Sequence, residues 1–136
     1  MRFSGFEEML RHYADNTPKA PALWLPGEEG PEPLGFLELE ARVDQRCREL
    51  RGGGKTCLAV FSDGSAECVI TIFAAVRAGM QVVLLDDALP DAAAAILLRY
   101  TDADAIWSGD GEREEDLASA LTPGVSVMKP ADCLRW

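Results

Sequence analysis

The sequence contains little of what metal, redox and zinc-stabilised sites are usually built from. It has one histidine, His12, and its four cysteines lie far apart, with no Cys-x-x-Cys pair. Zinc sites use close cysteine pairs together with histidines. The cysteines are Cys47, Cys57, Cys68 and Cys133, and three of them fall within apolar runs. We therefore interpret them as small buried hydrophobic residues and expect no metal or redox site.

The chain is also short of positive charge, and it carries no long apolar segment. Lys and Arg number 13 against 23 Asp and Glu, which gives a net charge of −10 over 136 residues. Because neutralised phosphates supply most of the affinity of a nucleic-acid-binding surface, nucleic acid is not an expected partner. The N-terminus, MRFSGFEEML, lacks the apolar core of a signal peptide, and no apolar run reaches membrane-spanning length. These absences predict a cytoplasmic protein without a membrane span.

The first third of the chain predicts a helix, a hairpin and a second helix. Ser4 and Glu7 form a predicted capping box for the first helix, in which apolar residues recur at helical spacing. The acids and arginines of the second helix are expected to face water, and the glycines at 52–54 end it. The predicted bounds are 4–15 for the first helix, 22–25 for a strand, 26–33 for a polar hairpin turn and 37–51 for the second helix.

From residue 57 onward, predicted strands and helices alternate. The run CLAVF at 57–61 is almost continuously apolar, which is typical of a parallel strand covered on both faces. The predicted strands are 57–61, 81–85, 105–107 and 125–128, and the helices are 66–78, 89–100 and 112–121. We therefore predict a single α/β domain over residues 1–136, with a layered, mostly parallel sheet flanked by helices, and an N-terminal helix and hairpin. The crossovers should be right-handed.

The stretch RGGGKT, residues 51–56, ends as a phosphate-binding P-loop does. A P-loop runs from a strand through a glycine-rich turn into a helix, whose N-terminus points at the phosphate. Here the glycines follow a helix and precede a strand, and Glu49 stands where the motif's first glycine would be. We therefore interpret the glycines as the end of a helix and not as a nucleotide site.

The turn SDGS, residues 62–65, is better placed for a phosphate, because it follows a strand and precedes a helix. However, it lacks paired glycines and carries Asp63 where an anion would sit. Ser65 as the cap of the next helix, with Glu67 in the first turn, explains the stretch without a ligand. We favour the cap and keep the phosphate site as the alternative.

Several other residues with chemical potential have plain structural interpretations. Asp86 and Asp87 follow a strand directly, but adjacent strand residues point to opposite sides, which argues against a magnesium pair. His12 lies between Arg11 and Tyr13 on a polar helix face and is interpreted as a solvated surface residue. The tryptophans are interpreted as packing anchors rather than stacking platforms, and they are Trp24, Trp107 and Trp136.

Two segments resemble the opening motifs of adenylate-forming ligases. Residues 34–39, LGFLEL, are similar to the family's first motif, in which a strand ends in an aromatic residue and x-Glu-Leu opens a helix. Residues 74–86, AAVRAGMQVVLLD, are similar to the second motif, in which a buried helix ends in Lys/Arg-Ala-Gly before a hydrophobic strand and an acid. The chain departs from the family at Lys55-Thr56, where Gly-Asp is usual, and at Asp63-Gly64, where an asparagine with a small residue is usual.

The resemblance covers about residues 3–128 but only the beginning of the family. It implies a parent enzyme that uses ATP and Mg²⁺ to convert a carboxylic acid to an acyl-adenylate, and then passes the acyl group to coenzyme A or a carrier thiol. The family's phosphate loop, adenine and ribose contacts and catalytic lysine come later. We therefore predict no catalytic, cofactor-binding or metal-binding residue within this sequence.

The leading hypothesis is an N-terminal scaffold fragment of an acyl-CoA synthetase or related ligase, inactive by itself. Its expected partner is the remainder of the ligase, and excess apolar surface should make it self-associate through an exposed sheet face or edge. Two hypotheses stay open beside it. One is a stand-alone small α/β binding or interaction module, and the other is a flavodoxin-like or nucleotide-binding domain that uses residues 62–65.

Overall fold

The computed structural model describes residues 2–120, and it confirms an α/β fold. The predicted strand at 125–128, together with Cys133 and Trp136, lies outside the described residues. The helices are α1 (Phe6–Asn16), α2 (Phe36–Gly52), α3 (Ala66–Arg77), α4 (Asp91–Thr101) and α5 (Gly111–Leu117), which continues into a 3₁₀ turn (Ala118–Ala120). The strands are β1 (Pro21–Gly27), β2 (Gly30–Gly35), β3 (Cys57–Ser62), β4 (Gln81–Asp86) and β5 (Ala105–Trp107).

The main sheet is parallel, as predicted, with the strand order β4-β3-β5. Leu58 lies opposite Val82 of β4 and Ala105 of β5. Alternate side chains of β3 point to opposite faces of the sheet, and both sets are buried, which confirms the prediction of a doubly covered strand. Leu58 and Val60 face a core formed with α1, α2 and α3. Cys57, Ala59 and Phe61 face a second core formed with α4 and α5.

The N-terminal hairpin is confirmed, but its turn is shorter than predicted. β1 and β2 pair antiparallel to their ends, where Pro26 lies opposite Pro31 and Gly27 opposite Gly30. The polar turn predicted over 26–33 therefore shrinks to two residues, 28 and 29. The backbone closes there because Gly30 adopts φ of 129°, which other residues rarely reach.

The beginning of α1 corrects the predicted capping box. The N-cap position is Gly5, and no side chain caps the helix. Ser4 instead donates through its backbone N to Glu8 Oε2 at 2.8 Å, and its hydroxyl donates to the same oxygen. Glu7 does not reach back to Ser4, because its carboxylate accepts a hydrogen bond from Arg77 of α3 at 2.7 Å.

Arg46 corrects the expectation that the arginines of α2 face water. It is buried, with its Nη1 2.8 Å from the hydroxyl of Thr71 and its Nη2 2.6 Å from a carboxylate oxygen of Glu67. A buried guanidinium needs such partners, because the loss of its hydration is otherwise costly. The contact joins α2 to α3 along their packed faces.

A second ionic contact, centred on Arg77, joins three helices. Its guanidinium donates through Nε to Glu7 of α1 at 2.7 Å, and through Nη1 and Nη2 to the two carboxylate oxygens of Glu40 of α2 at 3.0 and 2.7 Å. Burial opposes the charge, but the hydrogen bonds to Glu40 and Glu7 outweigh it and raise the pKa of Arg77. We refer to Glu7, Glu40 and Arg77 as the Arg77 network.

Asp104 ties the beginning of β5 to the beginning of β3. Its carboxylate accepts hydrogen bonds from the backbone N of Cys57 and of Thr56, each at 2.9 Å, and from the Thr56 hydroxyl at 3.1 Å. Burial raises the pKa of Asp104, but these hydrogen bonds and the nearby Lys55 outweigh it, so that the pKa lies below its ordinary value.

Replacing Asp104 by asparagine should therefore give a pH-dependent loss of stability. Because the pKa is lower in the folded than in the unfolded state, the carboxylate stabilises the fold fully above the ordinary aspartate pKa of about 3.9. That contribution disappears as the pH falls through the folded-state pKa. At neutral pH we expect Asp104→Asn to cost about 1–2 kcal/mol in the free energy of unfolding, as urea titrations would measure.

Asp102→Asn is the matched control, since Asp102 is exposed and its left-handed backbone suits asparagine. It should unfold with the wild-type midpoint at neutral pH. The difference between Asp104→Asn and the wild type should shrink below about pH 4. A difference that stays constant down to acid pH would contradict this role of the carboxylate.

Candidate functional site

The carboxyl edge of the parallel sheet is where α/β proteins usually place their sites, and its residues are mostly acidic. β3 and β4 end side by side, with Ser62 opposite Asp86. The loop after β3 also touches the loop after β5, because a methyl group added to Gly109 would lie 2.9 Å from Asp63 Oδ2. The sheet therefore brings its three strand-to-helix loops together at one edge.

The polar side chains of the turn at 62–65 form hydrogen bonds within the turn and to the first turn of α3, which confirms the interpretation of Ser65 as a cap. Asp63 Oδ1 accepts from the backbone N of Ser65 at 2.9 Å. The hydroxyl of Ser65 accepts from the backbone N of Cys68 at 3.1 Å, at the beginning of α3. An anion at this helix end would have to displace both contacts and approach the Asp63 carboxylate. The geometry therefore argues against a phosphate site in this turn.

The two adjacent aspartates of the next loop are also engaged in local contacts. Asp86 Oδ1 accepts from the backbone N of Ala88 at 2.9 Å. Asp87 lies 3.4 Å from the Nη1 of Arg113, a residue of α5. Among residues 2–120, no group of three or more His, Cys, Asp or Glu could hold a metal ion.

Arg113 holds this loop in place, although no sequence motif had pointed to it. Its Nε donates to Asp91 Oδ1 at 3.1 Å, and its other nitrogens donate to the backbone oxygens of Asp87 and Leu89. The guanidinium carbon lies 4.0 Å from the centre of the Phe61 ring. The sequence did contain one sign of this role, because Arg113 is the one cation within the acidic helix GEREEDL.

Glu114 of α5 is hydrogen-bonded to the backbone of the loop that follows β5. Its side chain is buried, and its Oε1 accepts from the backbone N of Ser108 at 2.8 Å. Ser108 is buried as well, and its hydroxyl accepts from the backbone N of Asp110 at 3.0 Å. Asp110 in turn caps α5 by accepting from the backbone N of Glu112. An acidic helix pattern predicts solvent exposure, so the buried Glu114 was missed.

The described cysteines are packing residues, as predicted. Cys47, Cys57 and Cys68 are buried and form no disulfide. Burial raises the pKa of the Cys57 and Cys68 thiols, and Asp104 adds to the effect at Cys57. Since the thiolate is the reactive form, these thiols are poor nucleophiles.

The remaining candidates are His12, Trp24 and Trp107. His12 is half-buried rather than fully solvated, with its ring centre 5.4 Å from that of Phe3. Trp107 is a core residue, which confirms its prediction as a packing anchor. The same prediction is wrong for Trp24, which is 63% exposed beside an open groove of about 470 Å³ in the hairpin.

The polar groups described at this edge are engaged in local contacts. Triphosphate binding uses free backbone N–H groups at a helix N-terminus together with lysine or arginine. At this edge, backbone N–H groups bond to Asp63, Ser65 and Asp110, and Arg113 of α5 is bonded to Asp91 and to the loop after β4. Through Arg113, this edge fixes α5 relative to the loop after β4.

Comparison with known proteins gives a consistent family match. The model of the family described as "AMP-binding enzyme" matches residues 10–132. No functionally curated protein is significantly similar to the chain in sequence. Within residues 2–120, no helix is both long and apolar enough to cross a membrane.

Solved structures with the same fold are much longer than this chain. O-succinylbenzoate coenzyme A synthetase from Bacillus subtilis, solved with AMP, is 19% identical with a TM-score of 0.73, and the match covers 93% of this chain and 32% of that one. Acetoacetyl-CoA synthetase from Streptomyces lividans is 18% identical with a TM-score of 0.72, over 90% of this chain and 21% of that one. CmiS6 is 21% identical with a TM-score of 0.75, over 93% of this chain and 31% of that one. The chain thus spans about a fifth to a third of their length.

Proposed function

Because the chain belongs to the AMP-binding enzyme family, we propose that it is the N-terminal scaffold of an AMP-forming acyl-CoA synthetase or related acid–thiol ligase. The parent enzyme would convert a carboxylic acid and ATP to an acyl-adenylate and then to a thioester. The 136-residue chain would catalyse no step alone. ATP, Mg²⁺ and coenzyme A would bind to the remainder of the ligase.

The observation that carries the proposal is the closed carboxyl edge of the sheet. Asp63 and Glu114 bond within their own loops, and Arg113 of α5 bonds the loop after β4. These polar groups are therefore already engaged, which suits a part that supports a site built elsewhere. The partial coverage of the solved relatives supports the same interpretation. The free, buried cysteines suit a reducing cytoplasm, which we propose as the location.

We propose the remainder of the ligase as the main partner of the chain. β4 is an edge strand of the described sheet, and its Leu84 is 59% exposed. An uncovered edge with an exposed apolar side chain favours pairing with another strand. In the absence of the remainder, this edge would support self-association of the isolated chain.

Nucleotide binding separates the scaffold from the nucleotide-binding alternative. The isolated 136-residue chain should show no heat of binding when ATP with Mg²⁺, or FMN, is titrated into it in a calorimeter. It should also fail to catalyse the exchange of pyrophosphate into ATP that depends on a carboxylic acid substrate. Measurable binding of either ligand would contradict the scaffold and favour a nucleotide-binding domain.

The intact mass of the native gene product is the companion measurement. A product several times heavier than 14.7 kDa that catalyses pyrophosphate exchange supports the ligase. A native product of this mass would contradict the ligase and favour a stand-alone binding module. The binding module has one specific observation in its favour, which is the apolar surface of α4, where Ile96 is 65% and Tyr100 85% exposed.

A further inference from the structure

The outward side of α4 is apolar where a surface helix is ordinarily polar. The helix reads DAAAAILLRYT and is apolar around most of its circumference, a pattern typical of helices buried on all sides. The structure buries one side, where Ala94 and Leu98 pack on the sheet. On the other side, Ile96 is 65% and Tyr100 85% exposed. The α4 outer face consists of Ala92, Ile96, Leu97 and Tyr100, all exposed.

The surroundings of the α4 outer face are predominantly acidic. α5 packs beside α4 on the same side of the sheet, since Leu117 belongs to the same core as Ala94 and Leu98. The exposed side of α5 carries Glu112, Glu115 and Asp116. Arg99 is an exposed cation on α4 itself, but the acids of α5 outnumber it. We refer to the exposed acids of α5 as the acidic rim.

We infer that the α4 outer face is a docking surface for a different polypeptide, one that presents an apolar centre flanked by lysine or arginine. Two copies of this chain, each with a net charge of −10, would bring their acidic rims together, and like charges across an interface are costly. An apolar surface flanked by basic residues would bury the exposed apolar side chains and pair its cations with the acids around them. The inference rests on the proposed function in one respect, because it takes the remainder of the ligase as the source of that polypeptide.

Two synthetic amphipathic helices provide the test on the intact chain. Both carry the same leucine face, and one is flanked by lysines while the other is flanked by glutamates. In calorimetric titrations, the lysine-flanked helix should bind at least ~10-fold more tightly than the glutamate-flanked one. Its affinity should fall as salt is added, because the rim charges are exposed and therefore screened. Equal affinity for the two helices, or no binding of either, would overturn the inference.

Substitutions locate the binding on α4. The double variant Ile96→Ser and Tyr100→Ser removes the apolar centre without adding charge, and it should weaken binding of the lysine-flanked helix about 10-fold or more. Leu84→Ser is the matched control, since Leu84 is similarly exposed but lies on β4. Both variants must keep the wild-type circular dichroism spectrum. Equal weakening by the control, or none by the double variant, would contradict the assignment.

The acidic rim is tested separately by the double variant Glu112→Gln and Asp116→Asn. It should bind the lysine-flanked helix more weakly, and the glutamate-flanked helix as well as or better than the wild type does.

Sedimentation shows whether a second copy is the occupant. A wild-type dimer that the Ile96→Ser and Tyr100→Ser variant dissociates would overturn the inference in favour of a homodimer.

Failure of this inference is distinguishable from failure of the proposed function. A native product that exchanges pyrophosphate, together with an isolated chain that ignores both helices, leaves the ligase standing and removes the docking surface. Selective binding of the lysine-flanked helix to a native 136-residue product would remove the ligase and leave the docking surface, with a separate protein as its occupant.

Discussion

Replacing Phe61 by alanine should destabilise the protein strongly, by about 3–5 kcal/mol in the free energy of unfolding. Phe61 is fully buried at the carboxyl end of the central strand, in the core beneath α4 and α5. Its ring also lies against the Arg113 guanidinium, so the substitution leaves a cavity and removes the support of that arginine. The total free energy of unfolding of a folded protein is typically only about 5–15 kcal/mol.

Urea denaturation followed by circular dichroism measures the loss as a lower midpoint. Phe61→Leu, which largely fills the same space, should cost less than about 1.5 kcal/mol. Leu84→Ala, on the neighbouring strand but exposed, should stay within about 0.5 kcal/mol of the wild type. If Phe61→Ala and Leu84→Ala unfold at the same urea concentration, the core assignment of Phe61 is wrong.

Replacing Arg77 by methionine should have a somewhat smaller effect, a loss of about 2–4 kcal/mol. The substitution keeps the length of the side chain but leaves Glu7 and Glu40 without the cation that joins α1 and α2 to α3. The cost should lie below that of breaking a fully buried pair, because Glu7 is 39% exposed and regains water. Since the pair with Glu7 fastens α1 to α3, the amides of α1 should exchange with deuterium faster in the variant than in the wild type.

Arg42→Met is the matched control, because Arg42 forms an exposed pair with Glu38 on its own helix at 2.9 Å. Such pairs are worth about 0.3–0.5 kcal/mol. Arg77→Lys should recover only part of the loss, since an ammonium cannot donate to Glu7 and both Glu40 oxygens with the geometry of a guanidinium. Equal effects of Arg77→Met and Arg42→Met would contradict a structural role for the Arg77 network.

The features that could be predicted from the sequence depend on neighbours along the chain. The apolar run of β3 predicts a doubly covered strand, and the glycines after α2 predict its end, where Gly54 takes a φ of 67°. Ser65 caps α3 as its spacing indicates, because the capping hydroxyl and the backbone N that donates to it are three residues apart. For the glycines and Ser65 the determining contact is local, and for β3 the apolar run itself indicates that both faces are buried.

The features that were missed depend on partners far along the chain. Arg46 is buried against Thr71, which is 25 residues away, and Glu7 leaves its predicted cap for Arg77, 70 residues away. Glu114 is a nearer case, since it bonds the backbone N of Ser108 only six residues away, but Ser108 precedes the helix and is not part of its periodic pattern. Helical periodicity assigns charged residues to water, and it contains no information on a distant partner that would compensate for burial.

The order β4-β3-β5 also has a consequence for the protein during its synthesis. β3 lies in the centre of the sheet, but both of its neighbours follow it in the chain, and β5 begins more than 40 residues after β3 ends. At ribosomal speeds this interval lasts several seconds. Throughout that time the nascent chain displays CLAVF with an unpaired edge, as a segment that chaperones and other nascent chains can bind. The strand that organises the finished sheet is therefore the one most exposed to misassembly before β5 emerges.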